Sequence, residues 1–236
     1  GGGARSSGGR SKTSVLNLPQ FRVSWKDVTR VSQSVTTGMT EEQATAVSRN
    51  ERPILVYVYN DEIDEESRFS IEKASAFVDD KVAVGARFFD CVRIDAATAK
   101  EDHALKEHIG TANSLIFVRP DYKVSKVFHF KKDKIQARKV FGGMCATMRL
   151  DYDNCVKTAY GKMKKIQKER VSLDQEQVKV STIDDKIVNE KSAKRRDKLV
   201  AQRDKLQTKL DAEYEKIDAK EAKLFELNAK KAKATS

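Results

Sequence analysis

Cysteine and histidine are the residue types in this chain that most readily supply a nucleophile or a metal ligand. The 236 residues include three of each. They are Cys91, Cys145, Cys155, His103, His108 and His129. Neither set has the spacing of a zinc site or a disulfide framework, so no metal site is predicted. Cys91 lies in an apolar stretch typical of an inner strand, where a thiol acts as a small apolar side chain. Cys145 and Cys155 fall on one predicted helix, on faces that cannot meet. All three are therefore expected to be reduced, buried and structural, and no residue is predicted to be catalytic.

A run of carboxylates follows the first predicted strand. Its members are Asp61, Glu62, Asp64, Glu65 and Glu66. Carboxylates at the start of a helix are stabilised by the exposed N–H groups and the helix dipole, which explains the run without a function. A site for a cation or a basic peptide is the alternative, with Asp61, Glu62, Asp64 and Glu65 as candidates. Because the chain has no Gly-rich phosphate loop, nucleophile elbow or HExxH sequence, neither a cofactor nor an enzymatic activity is predicted.

The net charge of +11 is concentrated outside the middle of the chain. Residues 1–50 contain 7 basic and 3 acidic residues, residues 51–156 contain 17 and 18, and residues 157–236 contain 22 and 14. Basic side chains displace counterions from phosphates, so Lys194, Arg195 and Arg196 are candidates for weak, non-specific nucleic-acid binding. A solvated helix explains the same charges, because acids are interleaved with them and no aromatic platform for base stacking is predicted.

The elements that would position these residues alternate between strand and helix patterns. Strands are predicted over residues 54–59, 88–94, 114–118 and 123–130, and helices over 40–48, 64–78, 100–108 and from 134. Such alternation predicts an α/β fold. Residues 15–35 are expected to add an irregular arm or an extra strand, and Gly142-Gly143 to mark a kink or a close-packing point in the last helix.

The two ends of the chain differ from this middle part. Residues 1–14 are glycine, serine and basic residues, which predicts a disordered basic leader before a domain over residues 15–160. No apolar run approaches the roughly 20 residues that span a bilayer, and no secretory signal pattern is present. A cytoplasmic protein that does not bind membranes is therefore expected.

The order of these elements resembles the smallest thioredoxin-like domains over about residues 40–160. The strand Ile54–Tyr59 and the following Asn60-Asp61-Glu62 stretch match the family's first strand and active-site loop. Residues 114–124 are similar to its third strand, turn and fourth strand. The resemblance implies a thioredoxin-like sandwich.

The resemblance also implies that this domain is redox-inactive. A gap-free alignment puts the family's two motif cysteines at Ile63 and Glu66, and its cis-proline at Asn113. Tyr57 stands where the family commonly has a buried acidic residue. A thioredoxin-type reaction needs a nucleophilic thiolate and a resolving thiol three positions on, and this chain offers neither there.

Residues 161–236 have the composition of long solvated helix, with no glycine or proline after Gly161. Apolar residues recur at intervals of seven in two sets. The first is Ile166, Leu173, Val180 and Ile187, and the second is Leu199 and Leu206 followed by Leu210, Ile217 and Leu224. The two sets are out of phase, which predicts a basic helical hairpin turning near residues 189–194, with Ile187 facing Leu199. Asn189 is expected to end the first helix in the left-handed conformation and Ser192 to cap the second. A single rod or coiled coil is the alternative.

Three functions follow from these patterns. The first is a non-catalytic thioredoxin-like module for protein interaction or assembly, which binds a protein partner or itself through the C-terminal helices. The second is a nucleic-acid-associated protein that uses the basic helices. The third is a thiol-dependent reductase or peroxidase, for which Cys91 is the least poor peroxidatic candidate.

Overall fold

A computed structural model of the chain describes residues 23–28, 31, 52–60, 76–131 and 134–230. They form an α/β fold with one mixed five-stranded sheet and two long C-terminal helices, as the sequence predicts at this level. The strands are β1 Lys26–Asp27, β2 Ile54–Tyr59, β3 Asp90–Asp95, β4 Ser114–Val118 and β5 Val124–His129. Their order in the sheet is β1-β3-β2-β4-β5. Strands β1, β3 and β2 run parallel to one another, β4 runs antiparallel to β2, and β5 runs antiparallel to β4.

The strand predictions are confirmed where the apolar runs are longest. β2 and β4 begin and end at the predicted residues, because central strands covered on both faces are apolar throughout. β1 confirms an extra strand within residues 15–35. β3 begins two residues later than predicted, at Asp90, whose N–H bonds to the Pro53 carbonyl at 2.9 Å.

The helices between β2 and β4 differ from the predicted ones. Helix α1, Asp80–Ala86, was not predicted, and the Asp79 carboxylate caps it by accepting the N–H groups of Lys81 and Val82. In place of one helix over residues 100–108 there are α2, Ala96–Glu101, and a 3₁₀ turn, Lys106–His108. The predicted leader 1–14, the helix over 40–48 and most of the helix over 64–78 lie outside the described residues.

Helix α3, Ala137–Asp151, is continuous through Gly142 and Gly143, so the predicted kink is wrong and the close-packing alternative holds for one glycine. A Cβ at Gly143 would lie 2.8 Å from the Phe117 ring and 2.9 Å from the Phe128 ring. A Cβ at Gly142 would meet nothing within 4 Å.

The two faces of the sheet carry separate apolar cores, because alternate residues of a strand point to opposite faces. Val56, Ile94 and Ile116 belong to the core that also contains Ala99 of α2. The larger core takes the opposite residues of β2 and β4, including Leu55 and Phe117, and joins them to α1, α3 and the C-terminal helices.

The C-terminal helices are α4, Val156–Asn189, and α5, Ala193–Phe225. They pack against each other along their length, which confirms the predicted hairpin and its turn. The predicted turn chemistry is wrong in two details. Asn189 is not left-handed, since the only non-glycine residue with positive φ in the described chain is Tyr122. Ser192 is the N-cap residue, yet its side chain makes no capping bond; the Glu190 carboxylate accepts the Ser192 N–H at 2.9 Å.

A further difference lies where α3 meets α4. The sequence predicts one helix through Cys145 and Cys155, whereas the chain breaks after Asp151 and restarts with Cys155 as the N-cap of α4. None of the described helices is long and apolar enough to cross a membrane.

Candidate functional site

The end of β2 and the start of β4 meet in a packed polar–aromatic corner, where the sequence resemblance predicts the thioredoxin active site. Asn113, 3% exposed, precedes β4. Its side-chain oxygen accepts the Asn60 N–H at 2.8 Å, and its carbonyl accepts the Phe130 N–H at 2.8 Å. The Asn113 amide nitrogen is buried and has no hydrogen-bond partner within the described part of the chain. Asn113 therefore ties the end of β2 to the start of β4.

Tyr57 fills the space beneath this corner. It is fully buried, and its ring stacks on Phe130 at a centroid distance of 5.7 Å and an interplanar angle of 15°. Trp25 and Phe77 lie against it at 5.7 and 6.3 Å. Aromatic pairs at these separations stabilise a core beyond the area they bury. Tyr57, where the resemblance implies that thioredoxin-like domains carry an acid, is part of an aromatic cluster.

Cys91 lies on the inner surface of β3 and is 8% exposed. Its thiol lies 3.7 Å from the Ala86 carbonyl, to which it donates. Burial, with a smaller contribution from the Asp90 carboxylate, raises the pKa of the Cys91 thiol to about 12. Cys91 is therefore protonated at neutral pH and is a poor nucleophile.

Of the remaining predicted site residues, the structure describes Lys194, Arg195 and Arg196. Asp61, Glu62, Ile63, Asp64, Glu65 and Glu66 lie outside the described residues. Lys194, Arg195 and Arg196 lie in the first turn of α5, at the free end of the hairpin, and all are exposed. Among the histidines, His129 accepts or donates one hydrogen bond with the Ser114 hydroxyl at 2.8 Å. The described residues contain no group of three or more histidine, cysteine or acidic side chains that could hold a metal ion.

The free end of the hairpin is strongly basic. Residues 186–198 contain six basic and two acidic residues. Within the described ranges, no carboxylate forms an ion pair with Lys194, Arg195 or Arg196. Arg196 donates to the Glu190 carbonyl at 3.1 Å and so helps to close the turn. Val188 is 83% exposed beside these charges.

The hairpin divides into two parts by what its buried side chains contact. Its base, residues 156–173 and 211–227, contributes side chains to the larger core of the domain, Met163 and Phe225 among them. Its outer arm, residues 174–210, buries Val180, Ile183 and Leu210, which belong to neither sheet core. Within the described part of the chain, the arm is therefore held by contacts between α4 and α5.

Polar bonds join the two helices along this seam. At the base, Arg170 donates to Asp218 at 2.8 Å and to Glu221 at 3.0 Å, and Glu221 also pairs with Arg87 of the domain. In the arm, Gln177 donates to Gln207 at 3.0 Å. These pairs align α4 and α5 in the antiparallel register that the sequence predicts from the pairing of Ile187 with Leu199.

A second feature, which the sequence analysis missed, is a pair of thiols where α3 meets α4. Cys155 is exposed, against the prediction that every thiol is buried, and Cys145 is half-buried. Asp153 and Asn154, just before Cys155, are of the residue types that favour helix N-caps. They were the available signal for a helix start at this point.

Neither a protein-family model nor a curated protein sequence matches the chain.

Proposed function

We propose that this chain is a non-catalytic thioredoxin-like module that binds a protein partner through its outer arm. The order β2, α1, β3, α2, β4, β5, α3 supports the thioredoxin-like part, since the smallest domains of that family alternate in the same way. The aromatic packing around Tyr57 and the protonated Cys91 support the non-catalytic part. The predicted cytoplasmic location remains part of this proposal.

The outer arm is the observation that carries the proposal. It extends roughly 25 Å beyond the base, at 1.5 Å per residue for residues 174–189. Among the described residues, its buried side chains belong to neither sheet core. Val178 and Val188 are 65% and 83% exposed on this arm. An arm that adds exposed apolar and basic surface without completing a core is suited to contact another macromolecule.

Site-specific photo-cross-linking tests this proposal. A photoreactive amino acid replaces Val178 or Val188 in the full chain, and Glu107, exposed on the domain, serves as the matched control position. We expect cross-linked adducts of defined mass in native lysate from the two arm positions and none from Glu107. An adduct of twice the chain mass identifies a second copy as the partner. Adducts that form equally at all three positions, or at none, contradict the proposal.

Nucleic acid is the second candidate partner, and the exposed Lys194, Arg195 and Arg196 at the turn favour it. Binding of this kind is indifferent to base sequence and weakens as salt rises, because it depends on counterion release from phosphates. Reversing these three charges to glutamate is expected to reduce the slope of log affinity on log salt by about two to three. Fluorescence anisotropy with a mixed-sequence oligonucleotide measures this slope.

The matched control reverses three exposed charges on the domain, Lys100, Lys106 and Lys123, and is expected to change the slope less. Binding that is unchanged by reversal of the turn charges, or that persists at high salt, excludes this candidate.

The non-catalytic part of the proposal has its own test. The full chain is expected to accelerate the reduction of insulin by dithiothreitol no more than a variant in which all three cysteines are serine. Turnover above that background that disappears in Cys91→Ser would restore the reductase or peroxidase hypothesis.

A further inference from the structure

The residues beside the hairpin seam differ in charge before and after each seam residue. The nine apolar repeat residues of α4 and α5 are buried or half-buried: Ile166, Leu173, Val180, Ile187, Leu199, Leu206, Leu210, Ile217 and Leu224. Eight of the nine residues that directly precede them are exposed lysines: Lys165, Lys179, Lys186, Lys198, Lys205, Lys209, Lys216 and Lys223. None of the nine residues that directly follow them is basic, and three are aspartates: Asp174, Asp211 and Asp218.

Helix geometry puts these lysines and aspartates on opposite sides of the seam. Successive residues of an α-helix are about 100° apart, so the residues before and after a seam residue lie about 100° to either side of it. Because α4 and α5 are antiparallel and face each other, the preceding residues of both helices share one side of the hairpin. The following residues share the other. The first is the lysine side, made of the eight lysines, and the second is the aspartate side.

Side-chain contacts place aspartates of both helices on the same side. The Arg203 guanidinium lies 3.4 Å from the Asp184 carboxylate of α4 and 2.7 Å from the Asp204 carboxylate of α5. Gln207 accepts a bond from Gln177 of α4 and donates one to Asp211 of α5 at 2.7 Å. Asp197, Asp204, Asp211 and Asp218 recur at intervals of seven along α5. The aspartate side therefore contains Asp174, Asp184, Asp197, Asp204, Asp211 and Asp218.

The lysines cannot neutralise one another across the seam, because both helices present lysine on that side. Charged residues that flank the seam of two packed helices commonly form interhelical salt bridges, which decide the choice of partner. Lys179 and Lys216 pair with Glu176 and Glu213 of their own helices. The other six lysines of this side form no ion pair with a described residue. Their charges are available to a group of opposite sign outside the hairpin.

The aspartate side is open in the outer arm and covered at the base. Gln167 and Phe225, which directly follow seam residues of the base, are 4% and 7% exposed. Phe225 belongs to the larger core of the domain. Toward the arm, by contrast, Asp174, Asp197, Asp204 and Asp211 are all exposed. A partner of the aspartate side therefore lies along the arm.

The two sides match each other in sign and in spacing. A seven-residue repeat corresponds to about 10.5 Å along a helix axis, for the lysines and the aspartates alike. We propose that the lysine side of one hairpin docks against the aspartate side of the hairpin of a second copy of this chain. Docking of this kind rests on the proposed function, since it makes a second copy the protein that the arm binds.

The contact is head-to-tail, because each copy contributes a different side. A copy can therefore hold one neighbour on each side, and such contacts form rings or open stacks. Exposed ion pairs contribute little individually, so the docking depends on several pairs along the arm. It is expected to weaken as salt rises, because ions in solution screen exposed charges.

Charge reversal in the full chain tests the pairing of the two sides. One variant reverses the lysine side: Lys179→Glu, Lys198→Glu and Lys209→Glu. The other reverses the aspartate side: Asp197→Lys, Asp204→Lys and Asp211→Lys. Each variant alone is expected to associate about tenfold or more weakly than the wild type, because its two sides then carry the same sign. An equimolar mixture of the two variants is expected to restore association.

Sedimentation velocity measures the association. The wild type is expected to gain mass with concentration at about 0.1 M salt and to be monomeric at about 1 M, where the Debye length falls from about 10 to about 3 Å. The matched control reverses Lys100, Lys106 and Lys123 on the domain, which changes the net charge equally, and is expected to associate as the wild type does. Glutamine at Lys179, Lys198 and Lys209 is expected to weaken association by a smaller factor than glutamate. Circular dichroism checks that each variant keeps its helical content.

A wild type that stays monomeric at every concentration overturns the docking of a second copy, whereas cross-links from Val178 or Val188 to another protein would still support the proposed function. Association that survives both triple variants, or that their mixture fails to restore, also overturns it. If a monomeric wild type binds an oligonucleotide and the lysine-side variant does not, the lysine side binds nucleic acid instead of a second copy.

Discussion

The base and the outer arm of the hairpin are parts of the same two helices, yet they are stabilised differently. At the base, Met163 and Phe225 complete the core that contains Phe88 and Phe117. In the arm, Gln177 and Gln207 form a hydrogen bond between α4 and α5. None of the described side chains of residues 174–210 belongs to either sheet core. The base is therefore coupled to the folding of the whole domain. The arm opens with a smaller, local free energy, as regions with few buried apolar contacts do.

Removing an apolar anchor of the base has the largest expected effect. Phe225 is 7% exposed, packs on Phe88 at a centroid distance of 5.2 Å and receives the Arg87 guanidinium 4.1 Å above its ring. Phe225→Ala is expected to lower the free energy of unfolding by about 3–5 kcal/mol. Urea denaturation followed by tryptophan fluorescence measures this loss, because Trp25 lies on the same core.

The matched variant in the arm is Leu210→Ala, at a residue that is 3% exposed. It is expected to speed hydrogen exchange of the arm amides and to move the Trp25-detected transition little. If both variants shift that transition equally, the hairpin is one cooperative unit and the distinction between base and arm is wrong.

Gly143 and Gly142 provide a second comparison, between a tightly packed and an open position on one helix. Gly143→Ala places a methyl group against Phe117 and Phe128, and Phe117 is fully buried. It is expected to destabilise the fold by about 1–3 kcal/mol. Gly142→Ala meets no neighbour and is expected to stabilise it by roughly 0.5–1 kcal/mol through helix propensity. Thermal denaturation of the two variants measures the sign of each change in stability. If both variants change stability in the same direction, the difference in packing at the two glycines is wrong.

These positions show what the sequence could and could not predict. The bounds of β2 and β4 followed from short apolar runs, and the hairpin turn followed from the change of phase between two seven-residue apolar repeats, so these features were predictable. The break before Cys155 was not predicted, because the pairing of Asp153 with Asn228 and of Asp151 with Lys230 joins segments more than 70 residues apart. A contact of that kind leaves no local periodicity. The exposed thiol was therefore missed together with the helix start that exposes it.

The glutamine pair of the arm predicts a smaller effect. Gln177→Leu leaves the half-buried Gln207 side-chain oxygen without its donor, although the Gln207 amide nitrogen keeps its bond to Asp211 at 2.7 Å. Gln207→Leu leaves the half-buried Gln177 amide nitrogen without its acceptor. Each change is expected to cost about 1 kcal/mol of local stability. The double variant replaces both polar groups with apolar ones and is expected to match or exceed the wild type. Hydrogen exchange of the arm amides, arranged as a double-mutant cycle, measures the coupling. Additive losses would mean that the two amides do not depend on each other.

The smallest expected effect is a pH dependence at the boundary between base and arm. The Tyr214 hydroxyl donates to the Asp174 carboxylate at 2.7 Å. Partial burial, followed by this hydrogen bond, raises the pKa of Tyr214 to about 12. Because the folded value lies above the ordinary value of 10.0, the bond contributes its full stability below pH 10 and loses it as pH rises through about 12.

The stability difference between the wild type and Tyr214→Phe is therefore expected to shrink over that pH window. Asp174→Asn is expected to return the tyrosinate absorbance transition of Tyr214 toward its ordinary pH, with the other five tyrosines as an internal reference. A transition that is already at the ordinary value in the wild type would show that α4 and α5 are not joined at this point in solution. The contact between α4 and α5 would then be interrupted at the boundary between base and arm, because the bond from Tyr214 to Asp174 would be absent.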